Sequence, residues 1–234
     1  MPSRPRYAHV LLDFDRTLND SDLVYERNLN GFLGLTGQQV YKLWEDIHRE
    51  ILAKEPKEHH EDLELHYKLM LEELNRTNKE TIQKELKTRL RAAQKECWYA
   101  TALFDETLPF LNAMLEAGYT MHVATGDYAK LKAEGIERQG ERSYFQHTYD
   151  EETLGVGKGK RDYYDRIIER LGLPAEETVI VGDSLTNDIV SGAEAGLATI
   201  WVRRKNEENK KGAKPSLTVA TLMEALPHFV PPAG

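Results

Sequence analysis

Five short runs of apolar and β-branched residues recur along the chain, at Ala8 to Leu12, Tyr119 to Ala124, Phe145 to Tyr149, Thr178 to Val181 and Ala198 to Val202. Each is as long as an ordinary strand and too short for a helix, so the pattern predicts strands at these places. Helical patterns fill most of the intervals: Glu106 to Ala117, Arg161 to Leu171 and Asp188 to Ala195. Each has a glycine, Gly118, Gly172 or Gly196, where a helix commonly ends on a left-handed residue. Strands that are apolar at nearly every position are buried on both faces. Their alternation with helices predicts an α/β fold, a doubly wound parallel five-stranded sheet with helices on both sides.

The interval from Asn19 to Leu103 breaks this alternation, because it contains no strand pattern and reads as about four helices. Its apolar stripes run Val40, Leu43, Trp44, Ile47, Ile51, then Leu63, Tyr67, Met70, Leu71, Leu74, then Ile82, Leu86, Leu90, Ala93, close to helical spacing. Such stripes face a core. The chain is therefore expected to divide into an α/β domain of residues 1–18 and 104–234 and an inserted helical domain of residues 19–103. From Lys54 to Glu96 acidic and basic side chains are equally numerous and interleaved, the pattern of a solvated face.

Composition narrows the functional classes. A chain of 234 residues, 40% hydrophobic, is long enough for one large domain with an insertion and too apolar to be disordered. The formal net charge of -8 argues against a nucleic-acid or anionic membrane surface, which needs clustered Lys and Arg. A small anionic substrate is compatible with that charge if a local cation offsets the field. Cys97 is the single cysteine and has no intramolecular disulfide partner. No run approaches the roughly 20 apolar residues that span a bilayer, and a cytoplasmic location is expected.

Candidate chemistry falls at the ends of the expected strands, where open parallel sheets bind ligands. Asp13 and Asp15 follow the first strand, Thr125-Gly126-Asp127 follow the second, and Gly182-Asp183-Ser184-Leu185-Thr186-Asn187-Asp188 follow the fourth. A basic glycine-rich turn, Gly155 to Lys160, leads into the helix at Arg161. Each signal alone has an ordinary structural explanation, since Ser, Thr, Asn and Asp also cap helices. Their combination points to phosphoryl chemistry. Asp13, Asp183 and Asp188 offer hard oxygen ligands suited to Mg2+. Thr125 and the Gly126 amide can donate hydrogen bonds, and Lys158 supplies a point charge for a phosphate oxygen. His59, His60, Glu61, Asp62 and His66 read as a charged helical segment rather than a metal site, His122 as a buried strand residue, and Cys97 as packed.

These residues, DFDRT, VATG, the lysine before RDYYDRIIERLG and VGDSLTND, resemble in order and context the motifs of the haloacid dehalogenase superfamily of phosphohydrolases. The helical insertion after the first motif resembles the C1-type cap, which in that superfamily closes over the site and helps select the substrate. The resemblance implies that Asp13 is a nucleophile forming an aspartyl-phosphate and that Asp15 is the general acid and base. It implies Mg2+ held by Asp13, the Asp15 backbone carbonyl, Asp183 and Asp188, and a phosphoryl group held by Thr125, Gly126 and Lys158, with Lys160 the alternative lysine. The expected activity is that of a phosphatase acting on a small phosphorylated metabolite. A sugar-phosphate mutase shares the same residues, and a non-hydrolytic phospho-acceptor is the reading from a different class. Arg16 stands where the family often has glycine.

Overall fold

The computed structural model describes residues 7–55, 62–75, 80–172, 174–205, 208–209 and 212–229. The chain divides into two compact units, Met1–Asp20 with Trp98–Gly234, and Ser21–Cys97. The first unit is built on strands β1 (His9–Leu12), β2 (Thr120–Ala124), β3 (Phe145–Tyr149), β4 (Thr178–Gly182), β5 (Ala198–Val202) and β6 (Leu217–Val219). They form one parallel sheet in the order β3-β2-β1-β4-β5-β6, with β1 at the centre between β2 and β4.

The sheet has six strands where the sequence pattern predicts five. The additional strand, β6, is a three-residue edge piece, Leu217-Thr218-Val219, that follows a polar loop. Its single Thr between two apolar residues is too short to register as an alternation, and only pairing with Ile200, Trp201 and Val202 of β5 makes it a strand.

Alternation along the strands sends side chains to two cores. Val10 and Leu12 of β1 join Met121, Val123, Val179, Val181, Ile200 and Val202 on one face, under Phe110 and Met114 of the helix Thr107–Glu116. Leu11 and Ile180 face the other side with Tyr163, Tyr164 and Ile167 of the helix Arg161–Leu171. On that second face His9, His122 and His147 stack across β1, β2 and β3, with ring centroids 5.0 and 5.3 Å apart. His122 shares a 2.7 Å hydrogen bond with His9 through Nε2, while its Nδ1 is buried with no hydrogen-bond partner among the described residues. Burial, then the neighbouring His9 and His147, push the His122 imidazole down to about 3.

The second unit carries helices Ser21–Leu29, Gly37–Lys54, Leu63–Glu73 and most of Glu80–Trp98. Val40, Ile47, Ile51, Tyr67, Met70, Leu71, Leu86 and Leu90 form its core, matching the stripes read from the sequence. Thr36 caps the second of these helices in a reciprocal arrangement with Gln39, and Asp62 caps the third. His66 is buried, sharing hydrogen bonds with His48 at 3.0 Å and the Asp62 carbonyl at 2.7 Å, whereas His59, His60 and Glu61 lie outside the described residues. Cys97 is buried. Among the described residues no helix is long and apolar enough to cross a membrane.

Candidate active site

The carboxyl end of the central strand delivers Asp13 directly into the site, its amide donating to the Val181 carbonyl of β4 at 2.9 Å. The residue is 6% exposed, and its side chain accepts hydrogen bonds from Thr17 Oγ1 at 2.8 Å and from the Lys158 ammonium. Burial pushes the Asp13 carboxyl up to about 6; the charge on Asp188 adds to the rise and Lys158 opposes it. Lys158 also pairs with Asp188 Oδ1 at 2.8 Å. Burial alone would lower the lysine, but Asp13 and Asp188 outweigh it and hold the ammonium well above its ordinary range. Lys160, the alternative lysine, sits exposed at the N-terminal cap of the helix Arg161–Leu171, whereas Lys158 is 4% exposed.

Asp188 reaches this cluster because the backbone before it is wound unusually. The helix expected from Asp188 to Ala195 begins instead as a π-helical turn over Leu185–Val190, followed by a short α-helix at Ser191–Glu194. The Ser184 carbonyl accepts from both Asp188 and Ile189, at 2.9 and 3.2 Å, which inserts the wide turn. The Asp188 carboxylate folds back onto β4, where the Ser184 amide donates to it at 2.9 Å and the Tyr164 hydroxyl at 3.3 Å. A Cβ on Gly182 would lie 2.3 Å from Asp188 Cγ, so glycine at the end of β4 makes this approach possible. That is the physical content of the Gly182-Asp183 pair.

Asp183 points to the same place and pairs with Arg16 Nε at 2.9 Å. Burial raises its carboxyl well above the usual range; Arg16 pulls it down, while Asp13 and Asp188 push it further up. Asp13, Asp183 and Asp188 each offer an oxygen within 4.8 Å of the others. Three hard carboxylate oxygens crowded in a low-dielectric pocket repel one another, and the residues therefore fit a bound metal ion as a fourth, positive member. Arg16 adopts a left-handed backbone, φ 59°, a conformation that favours glycine. The loop it occupies is pinned by Arg204 beyond β5, which donates to the Arg16 and Thr17 carbonyls at 2.8 and 2.7 Å and pairs with Glu106.

Asp15 and Thr125 belong to a second, adjacent cluster. Thr125 is 2% exposed beyond β2, its carbonyl accepting from Tyr163 Oη at 2.8 Å. Thr125 Oγ1 and Asp15 Oδ2 lie 3.1 and 2.8 Å from Lys132 Nζ, which also pairs with Asp127 at 2.5 Å. The two carboxylates of the Asp13-Phe14-Asp15 motif thus bind different lysines. Gly126 follows Thr125, and a Cβ there would meet only Glu151 at 3.8 Å, so packing within the protein does not demand glycine.

Sequence reasoning missed Lys132, Thr17 and Arg204. Lys132 carries a readable signal: it falls within the stripe Ala129, Lys132, Ala133, Ile136, on the buried side of the helix Ala129–Gly140, where a charge needs a partner. Thr17 is part of the quoted first motif, but its bond to Asp13 depends on the tight turn after β1.

A parallel sheet with an acidic cluster and two buried lysines beyond its carboxyl ends carries a polar site where open α/β sheets bind their ligands. The haloacid dehalogenase-like hydrolase family model matches residues 7–196, and the chain belongs to that family. Over 94% of both chains it is 28% identical to the pyrimidine 5'-nucleotidase PynA of Streptococcus pneumoniae. A second match, 35% identical, is to the pyrimidine 5'-nucleotidase YjjG of Escherichia coli, but it spans only 44% of this chain and 46% of that protein. In fold it is similar to the crystal structure of the HAD-hydrolase YfnB of Bacillus subtilis bound to magnesium, with TM-score 0.75, 20% identity, and 97% and 99% of the two chains covered.

Proposed function

We propose that this enzyme is a Mg2+-dependent phosphatase that hydrolyses a small phosphate monoester through an aspartyl-phosphate on Asp13. The observation that carries the reading is the environment of Asp13: a buried carboxylate at the central strand end, held between Thr17 and Lys158 and clustered with Asp183 and Asp188. Fixed hydrogen bonds hold the carboxylate in one orientation, as in-line attack on phosphorus requires. The names of PynA and YjjG support a nucleotide-sized ester as substrate.

In the first half-reaction an Asp13 oxygen forms a bond to phosphorus as the bond to the leaving oxygen breaks, and Asp15 gives that oxygen a proton. In the second, Asp15 takes a proton from water as the water oxygen bonds to phosphorus. The Asp13 carboxylate is regenerated and inorganic phosphate departs. Thr125, the Gly126 amide and Lys158 stabilise the charge spread over the transferring group. Asp13, Asp183, the Asp15 backbone carbonyl and Asp188, directly or through water, would hold Mg2+, which would neutralise part of the same charge.

The test is release of inorganic phosphate from an aryl phosphate with Mg2+ and with a chelator. Release only with Mg2+, lost in Asp13→Asn by more than about 10⁴-fold, is expected for removal of a nucleophile. No release above the chelated control, or wild-type rates in Asp13→Asn, overturns the proposal. A phospho-acceptor would instead bind one phosphoryl group and not turn over.

A further inference from the structure

Lys132 is the second buried lysine of the site, 1% exposed on the helix Ala129–Gly140. An ammonium has three N–H donors and no acceptor. Here the donors meet Asp15 Oδ2 at 2.8 Å, Thr125 Oγ1 at 3.1 Å and Asp127 Oδ1 at 2.5 Å, with the Phe14 ring centroid 5.1 Å away. Its hydrogen-bonding capacity is therefore filled by protein groups, which distinguishes it from a lysine waiting for an anionic substrate. Asp127 is itself steadied by Trp98 Nε1 at 3.1 Å.

We infer that Lys132 is a positioning residue that sets the orientation of the Asp15 carboxylate and the hydrogen-bond polarity of the Thr125 hydroxyl. The inference rests on the phosphatase reading above and extends it to a residue outside the recognised motifs. Because the ammonium only donates, Thr125 Oγ1 must accept from it, and the hydroxyl's own hydrogen is directed elsewhere, toward an anion beside the strand end. Asp15 Oδ2 is occupied in the same way, so proton exchange with the leaving oxygen falls to Oδ1. The Asp15 side chain is 39% exposed, and the bond to the buried Lys132 ammonium fixes its Oδ2. Asp127 shares the ammonium and keeps it centred between the two strand ends.

Proton donation matters most when the departing oxygen is strongly basic. An aryl oxide leaves nearly unaided, whereas an alkoxide needs its proton. The experiment compares kcat/KM, which reports leaving-group expulsion, for p-nitrophenyl phosphate and for an alkyl phosphate such as glycerol phosphate, in wild type, Lys132→Met and Lys132→Gln. The inference expects Lys132→Met to lose about ten-fold more on the alkyl ester than on the aryl ester. In an Asp15→Asn background the same substitution should produce no further change in that ratio. Equal losses on the two esters, or the same ratio change with Asp15 already removed, overturn the inference.

Lys132→Gln keeps two donors and provides the comparison if Lys132→Met does not fold, with a smaller ratio change expected in the same direction. A crystal structure of either variant gives a readout independent of turnover: unchanged Asp15 and Thr125 side-chain rotamers contradict the inference. A wild-type protein that hydrolyses neither ester would sink the phosphatase reading while leaving this structural outcome to decide the role of Lys132.

Discussion

Charged residues occur at high density in both units, and they do opposite things. On the helices of the Ser21–Cys97 unit, Lys42 pairs with Asp46, Lys54 with Glu50 and Arg89 with Glu85, each four residues away on the same helix. Lys42 and Lys54 are 69% and 68% exposed, so water already solvates them and the pairs are of little energetic consequence. At the sheet ends the Lys158 and Lys132 side chains are 5% and 1% exposed and bind Asp13 and Asp188, and Asp15 and Asp127, respectively. There the charges have lost water and depend on one another. The same residue types make a soluble surface in one unit and a reactive cluster in the other. Burial of the cations, not composition, distinguishes the two.

The sharpest way to break this contrast is to remove one buried cation. Lys158→Met leaves Asp13 and Asp188 facing each other without their shared partner. It is expected to lower stability by about 3 kcal/mol at neutral pH, measured by urea unfolding without metal. Mg2+ should restore part of that loss if the acidic cluster holds the ion. A loss under about 0.5 kcal/mol would place Lys158 with the exposed pairs.

An intermediate effect comes from His122, the fully buried member of the histidine stack. His122 has a folded-state value near 3 against 6.5 when unperturbed, so between those limits the unfolded chain binds a proton the folded chain does not. Its contribution to stability is fully present above about pH 6.5 and is lost as pH falls toward 3. His122→Leu should therefore flatten the decline of unfolding free energy between pH 6 and 4 by up to about 1.4 kcal/mol per pH unit. Parallel curves for the two proteins would show that His122 titrates normally in the fold.

The smallest expected effect lies on the helical unit. Lys42→Ala removes an exposed partner of Asp46, which keeps Arg49 as a second neighbour. Unfolding free energy should change by less than about 0.5 kcal/mol, and more weakly still in high salt. A change above 1 kcal/mol would erase the distinction between the two regions.

Much of this arrangement was legible in the sequence. The strand runs, the glycines after the helices and the apolar stripes of the inserted interval each report a local periodicity, and the observed elements follow them. Asp13 and Asp183 were legible as candidates because each sits just beyond an apolar run, where strand ends face ligands, and Asp188 because it closes the polar stretch after the fourth run. What was not legible depends on tertiary distance. The place of Lys132 on an apolar helical stripe hints at a buried charge, but its partner Asp15, 117 residues away, is set only by the fold. The π-helical turn at Leu185–Val190 arises from one carbonyl accepting two amides, which no side-chain pattern announces. Strand β6 is too short to carry a period, and Arg204 reads as a polar residue after a strand although it pins the loop that holds Arg16 and Thr17.

On the proposed mechanism the buried carboxylate of Asp13 becomes covalently phosphorylated during turnover. This step is tested most directly by mixing enzyme, Mg2+ and a phosphate ester labelled in its phosphoryl group, quenching in acid within milliseconds and mapping the label by peptide mass analysis. The expected result is transient label on the peptide holding Asp13, absent in Asp13→Asn, rising and decaying fast enough to account for phosphate release. Phosphate release at full rate with no label on Asp13, or with label on another residue, would contradict it.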